Sequence, residues 1–130
     1  NTLDDYEEGT WTPTLSNTSN VSNEVASDAK YRKIGNLVYI NFIVQADVTS
    51  STAETHIRVT LPITAETTTY ADVGHVGFYQ GTSADRFGVG SLFRGTQTSG
   101  NTITDIYVAA NQQSGTGTTY FRCSMVYKAA

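Results

Sequence analysis

LVYINFIVQAD, residues 37–47, decides the fold class. Val38, Ile40, Phe42, Val44 and Ala46 recur at every second position and form one continuous apolar face. Leu37, Tyr39, Asn41, Ile43 and Gln45 form a second, mixed face. Side chains alternate across a strand with period two, so this pattern predicts a half-buried β-strand and not a helix. The apolar run Leu37 to Val44 is broken by Asn41 and is far too short to cross a bilayer. Just before it stands Gly35-Asn36, a pair suited to a two-residue hairpin turn, and before that the strand-like stretch 29–34. After it, residues 55–61 direct Ile57, Val59 and Leu61 inward and His56, Arg58 and Thr60 outward, and Pro62 stops the strand.

The same alternation continues outward in both directions. A strand is expected over 10–16 around Trp11, on an edge or bulged, because Pro13 has no amide hydrogen to donate. Further strands are expected over 72–80, where Gly74 and Gly77 blur the faces, over 86–94 with Phe87, Val89 and Phe93 on one side, and over 102–110. The last covers 118–128, with Phe121, Cys123, Met125 and Tyr127 inward. About eight strands at roughly ten-residue spacing, with no helical period, predict an all-β fold, an antiparallel, jelly-roll-like β-sandwich. No repeat or internal boundary interrupts it, so residues 10–130 form one domain behind an acidic lead-in segment, 1–9. The polar stretches 16–28 and 111–117 are expected to be loops.

Composition narrows the function. The 130 residues are only 15% charged with a net charge of -4, and no basic run is present. That leaves out the electrostatic footprint of a nucleic-acid binder or an anionic-membrane binder, and no membrane insertion is expected. The N-terminus is polar, acidic and without a starting Met, which reads as a fragment with no signal peptide. Cys123 is the single cysteine; its place among alternating Phe121, Met125 and Tyr127 predicts a buried, inert thiol.

Nothing in the chain spells out catalysis. Glycan cleavage usually needs two carboxylates facing each other across a groove. The dense cluster Asp4, Asp5, Glu7 and Glu8 lies on one segment, and Asp28, Asp47, Glu54, Glu66, Asp72, Asp85 and Asp105 are scattered. The cluster reads as a solvated acidic segment and not as a calcium site. His56 and His75 lack a strained-turn serine motif, and the glycines at 88, 90 and 95 lack the strand–loop–helix setting of a phosphate cradle. No enzyme activity, cofactor or metal is expected.

Two segments carry a resemblance: Asp4-Asp5-Tyr6-Glu7-Glu8-Gly9-Thr10-Trp11-Thr12-Pro13-Thr14-Leu15, and Tyr31-Arg32-Lys33-Ile34-Gly35-Asn36-Leu37-Val38-Tyr39-Ile40-Asn41-Phe42. In this order and spacing they resemble the start of a C-terminal module of bacteriophage tail fibres and tailspikes; Leu61-Pro62 also fits. The resemblance covers the first third of the chain. It implies a homotrimer at the distal end of a virion's fibre, made in the host cytoplasm, that binds a bacterial surface glycan or outer-membrane protein. Tyr6 and Trp11 are expected to pack on the fold or between subunits.

If all strands run antiparallel to their sequence neighbours, the loops alternate between two ends. The N-terminus, Gly35-Asn36, 62–71, 95–100 and the C-terminus then share one end. Loops 16–28, 48–54, 81–85 and 111–117 share the other, which would face the host. Their hydroxyl and amide groups can meet sugar hydroxyls as donor and acceptor. The expected receptor-binding residues are therefore Asn17, Asn20, Asn23, Glu54, Tyr79, Asp85, Arg86, Phe87, Asn111, Gln112 and Gln113. Two other readings remain: a structural domain that trimerises and caps the fibre, and a small glycan esterase or hydrolase. A bacterial carbohydrate-binding module is compatible by fold analogy alone.

Overall fold

A computed structural model describes residues 5–66, 73–80, 87–93, 102–112 and 115–130. The fold is all-β and antiparallel. Nine strands form one sheet: β1 (Tyr6–Thr10), β2 (Leu15–Ser19), β3 (Val21–Ile34), β4 (Leu37–Val48), β5 (Thr55–Thr60), β6 (Val73–Gln80), β7 (Phe87–Phe93), β8 (Ile103–Val108) and β9 (Gly117–Lys128). Their order across the sheet is β1-β3-β4-β9-β6-β7-β8-β5-β2. The expected layers are thus two halves of a single curled sheet.

The opening stretch behaves as its alternation demands. Val38, Ile40, Phe42, Val44, Ala46 and Val48 of β4 are all buried. They pair along the full length of β9, so that Phe42 faces Cys123 and Val44 faces Phe121. Ile57 and Val59 of β5 and Ile106 and Val108 of β8 complete the core. Each such side chain contributes roughly 1.5–3 kcal/mol on burial. The curl brings strands distant in the sheet order into contact. Thr104 Oγ1 of β8 lies 3.8 Å from Met125 Sδ of β9. Trp11 packs edge-on against Phe42 of β4, with ring centroids 5.8 Å apart, while its indole N–H donates to the Thr60 carbonyl at the end of β5. Cys123 is buried as expected, and burial pushes its thiol well above the ordinary range.

Four expectations are corrected. The strand read over 10–16 is two strands, β1 and β2, on opposite edges of the sheet. The segment from Trp11 to Thr14, with Pro13 unable to donate, crosses between them. Residues 6–9, read as part of a lead-in segment, are in β1. The stretch 16–28, read as a loop, is β2 and the first half of β3. Here Asn17, Asn23 and Asp28 stand at φ 46°, 55° and 51°. Each falls where the pairing register shifts, between Ser16 and Ser19, Ser22 and Val25, and Ser27 and Lys30. Asn and Asp tolerate the left-handed region, and a β-bulge needs such a residue as much as a turn does. Finally, β8 stops at Val108, and Ala110–Gln112 form one turn of 3-10 helix.

The hairpin at Gly35-Asn36 forms as read, with Ile34 opposite Leu37 and Gly35 at φ 59°. Antiparallel pairing throughout also gives the loops their expected alternation. At one end, here the near end, Gly35 N donates to Asp5 O, Ala129 N to Asn36 O, and Tyr127 Oη to Ile63 O. The far end holds Asn20, the loop 49–54, the segment 109–112 and the start of β9. Loops 81–85 and 95–100, and residues 67–71 of loop 62–71, lie outside the described residues, so their ends are placed by the strands that lead to them.

Candidate functional site

At the far end the chain turns from β2 into β3 through Asn20, at φ 66°. Its side chain is fully occupied. Nδ2 donates to the Ser50 carbonyl at 2.8 Å and lies 3.2 Å from that of Ala53; Oδ1 accepts from Ser50 N at 2.8 Å and from Thr49 Oγ1 at 2.9 Å. Asn20 therefore pegs loop 49–54 to the β2–β3 corner instead of offering its amide to a ligand. Asn20→Ala should cost about 1–3 kcal/mol, since it orphans loop groups and places a Cβ residue without a local hydrogen bond at positive φ. Asn20→Gly should cost less, because glycine relieves the backbone share. Urea unfolding of both variants checks this; equal costs would mean that backbone strain has no part.

The other expected residues part ways. Asn23 Nδ2 donates to Asp47 Oδ2 at 3.1 Å, and Thr118 Oγ1 donates to the other oxygen of Asp47. Asn17 is exposed, and its backbone carbonyl faces His56 Nδ1 at 3.2 Å. Glu54, Asn111 and Gln112 are exposed at the far end. Tyr79 and Phe87 stand directly opposite each other where β6 and β7 reach that end; their side chains lie outside the described residues. Asp85, Arg86 and Gln113 lie outside them altogether.

A residue absent from the expected set joins this group. Tyr107, on the outer face of β8, donates its hydroxyl to Glu54 Oε2 at 3.0 Å. That hydrogen bond, with the carboxylate's charge, pushes the phenol above its ordinary range. Tyr107 lines a groove of about 310 Å³ with Gly90, Ser91, Ala109 and Gln112. Gly90 makes the approach of β7 possible, since a Cβ there would lie 2.7 Å from the Tyr107 carbonyl oxygen. The signal for Tyr107 was its outward parity with Asp105 across Ile106, but nothing local said that β8 would end beside Glu54.

Below the groove, the same outer face holds a charge cluster. Asp105, with a side chain only 8% exposed, lies with Oδ1 3.2 Å from Arg58 Nε and 3.1 Å from His56 Nε2. Both ring nitrogens of His56 face oxygens, Nδ1 the Asn17 carbonyl and Nε2 the Asp105 carboxylate. This arrangement fastens β2, β5 and β8 together.

On the opposite flank the motif segments meet: β1 pairs with Lys30–Ile34 of β3, and β3 with β4. Glu7 and Glu8 point to opposite faces of β1; Glu7 accepts from the Tyr31 hydroxyl and Glu8 from that of Tyr6, raising both phenols. Gly9 lies under the Tyr31 ring, where a Cβ would come within 2.9 Å of it. A groove of about 590 Å³ runs here, bordered by Glu8, Thr10, Lys30, Arg32, Tyr39 and Asn41. Among the described residues no group of three or more His, Cys, Asp or Glu side chains is gathered for a metal ion. Compared with known proteins, the chain matches no family model, no curated protein and no solved structure, and the resemblance to tail-fibre modules therefore stands on the two motif segments alone.

Proposed function

We propose that this chain is a receptor-binding domain from the distal end of a bacteriophage tail fibre, working as a homotrimer that contacts a bacterial surface glycan or outer-membrane protein without covalent chemistry. The observation that carries this reading is the Tyr107 groove near the end of the fold opposite the N-terminal motif. A saccharide has an apolar face and a rim of hydroxyls. The Tyr107 ring suits the first; the Ser91 hydroxyl and Gln112 amide, each donor and acceptor, suit the second. Glu54 holds the Tyr107 hydroxyl, so the ring is oriented before ligand arrives, which lowers the ordering cost of binding. One such site binds weakly, and three copies on one fibre gain avidity through effective concentration. The structural reading, a cap that assembles the fibre without touching the host, draws its support from apolar side chains exposed near the N-terminal motif.

The test is binding of the assembled protein to a panel of purified bacterial envelope polysaccharides and outer-membrane extracts. Tyr107→Ala should weaken binding at least ~10-fold, the loss of about 1.4 kcal/mol of stacking. Tyr107→Phe keeps the ring but loses its hydrogen bond to Glu54, and should weaken binding by less than Tyr107→Ala does. Equal binding by Tyr107→Ala, or no binding by the wild type, would hand the function to the structural reading.

A further inference from the structure

One row of outward side chains crosses six neighbouring strands and is polar at every step. Lys30 of β3 stands opposite Asn41 of β4, Asn41 opposite Ser124 of β9, Ser124 opposite His75 of β6, His75 opposite Ser91 of β7, and Ser91 opposite Tyr107 of β8. Directly opposed residues of an antiparallel ladder point to the same face, and all six are exposed or half-buried. At about 4.8 Å per strand the row runs about 24 Å along the surface. The rows beside it are mixed, with Tyr39 and Val126 on one side and Ile43, Arg122 and Gly77 on the other.

Grooves coincide with this row. Ser91 and Tyr107 line the groove of about 310 Å³, Asn41 and Ser124 line one of about 170 Å³, and Lys30 and Asn41 line the one of about 590 Å³. Arg122 borders the middle groove and enters none of the ion pairs among the described residues, whereas Lys30 is held by Asp28 at 2.9 Å. Opposite Arg122, Gly77 bears no side chain, and the space where a Cβ would stand is open. Hydroxyl, amide and imidazole groups each donate and accept. Set in a line, they match the hydroxyls of successive sugars. Tyr107 at one end and Tyr39 beside the other offer rings to the sugars' apolar faces. A protein partner would need a central cluster of apolar anchors, and a nucleic acid a line of cations; the row holds neither.

From this we infer that the receptor is a polysaccharide, held as an internal stretch of several consecutive sugars laid across the strands from Tyr107 to Lys30. This rests on the receptor-binding reading and narrows its two receptor classes to one. The Tyr107 groove is then one end of a longer site, and Asn41 and Arg122 act on sugars that Tyr107 does not reach.

Lipopolysaccharide O-chains and capsular polysaccharides, cleaved by partial acid hydrolysis into disaccharides and longer fragments, are the probes, titrated calorimetrically into the full chain. Long fragments should bind at least ~10-fold more tightly than disaccharides, because they reach more of the row. Arg122→Ala and Asn41→Ala should each weaken the long fragments about 5-fold, the loss of one hydrogen bond. Long fragments that bind no tighter than disaccharides, or that bind both variants as tightly as wild type, overturn the inference; if they still lose affinity in Tyr107→Ala, the receptor-binding reading stands. Binding of an outer-membrane protein with no polysaccharide bound overturns the inference alone, and no binding at all overturns both. Should either variant lose its fold by circular dichroism, hydroxyl-radical footprinting of the wild type decides. The long fragment should protect His75, midway along the row, and unchanged labelling of His75 overturns the inference.

Discussion

Phe42→Ala is expected to lower the unfolding free energy by about 3–5 kcal/mol, out of the roughly 5–15 kcal/mol that holds a domain of this kind together. Phe42 is 2% exposed in the middle of β4, the strand that pairs with both β3 and β9. Its loss would remove its own burial and leave a cavity that a sheet paired on both sides cannot easily collapse. It would also remove the ring against which Trp11 packs at 5.8 Å. Trp11 sits on the crossover between the two edge strands and is bonded to the Thr60 carbonyl, so loosening it loosens both edges. Because Trp11 is the single tryptophan, its fluorescence reports on this site without interference. Urea unfolding followed by that emission should show an earlier midpoint, and the native spectrum should shift red. Phe42→Leu should recover most of the loss. A cost below ~1 kcal/mol for Phe42→Ala would contradict the packing of Trp11 over β4.

Asp105→Ala should be nearly as damaging, at about 2–4 kcal/mol. Removing one member of a buried pair leaves its partner's charge uncompensated, at a cost of ~3–5 kcal/mol; the lower figure here reflects the residual exposure of Arg58 and His56, 18% and 27%. One carboxylate oxygen meets both the Arg58 guanidinium and the His56 ring, and His56 in turn reaches the Asn17 carbonyl on β2. Loss of Asp105 should therefore free the edge strand first, visible as faster hydrogen exchange around Leu15–Ser19 before global unfolding. The double variant Asp105→Leu/Arg58→Met should recover much of the stability, because an apolar pair carries no desolvation penalty. If Asp105→Ala alone costs less than about 0.5 kcal/mol, the cluster is a surface decoration and β2 is held by its backbone ladder.

Strand identity was legible wherever one face is apolar and the other polar. β4, β5 and β9 lie within about a residue of their expected bounds, since a core-facing strand must alternate and few other patterns do. The loops' alternation between two ends was legible too, because it needs only that successive strands run antiparallel. The Asn- and Ser-rich stretch 16–28 was not. Asn17, Asn23 and Asp28 have the residue chemistry of turns and the positions of bulges, and the two uses share one requirement, a tolerated positive φ. The same confusion misassigned Asn20, whose amide reads equally well as a sugar ligand or a loop peg until Ser50 and Thr49 are seen to occupy it.

The amino-acid sequence by itself determined the all-β class, the inward sets on β4, β5 and β9, the Gly35-Asn36 hairpin and the buried state of Cys123. These follow from interactions between near neighbours: side-chain period, glycine's freedom at positive φ and the burial of apolar surface. Only the tertiary structure decided that β1 and β2 lie on opposite edges, that Tyr107 stands beside Glu54, that Asp105 gathers Arg58 and His56, and that the polar side chains from Lys30 to Tyr107 share one row. Each of these joins residues from strands distant in sequence, and such meetings are set by the order of strands in the sheet and its curl, which no local pattern encodes.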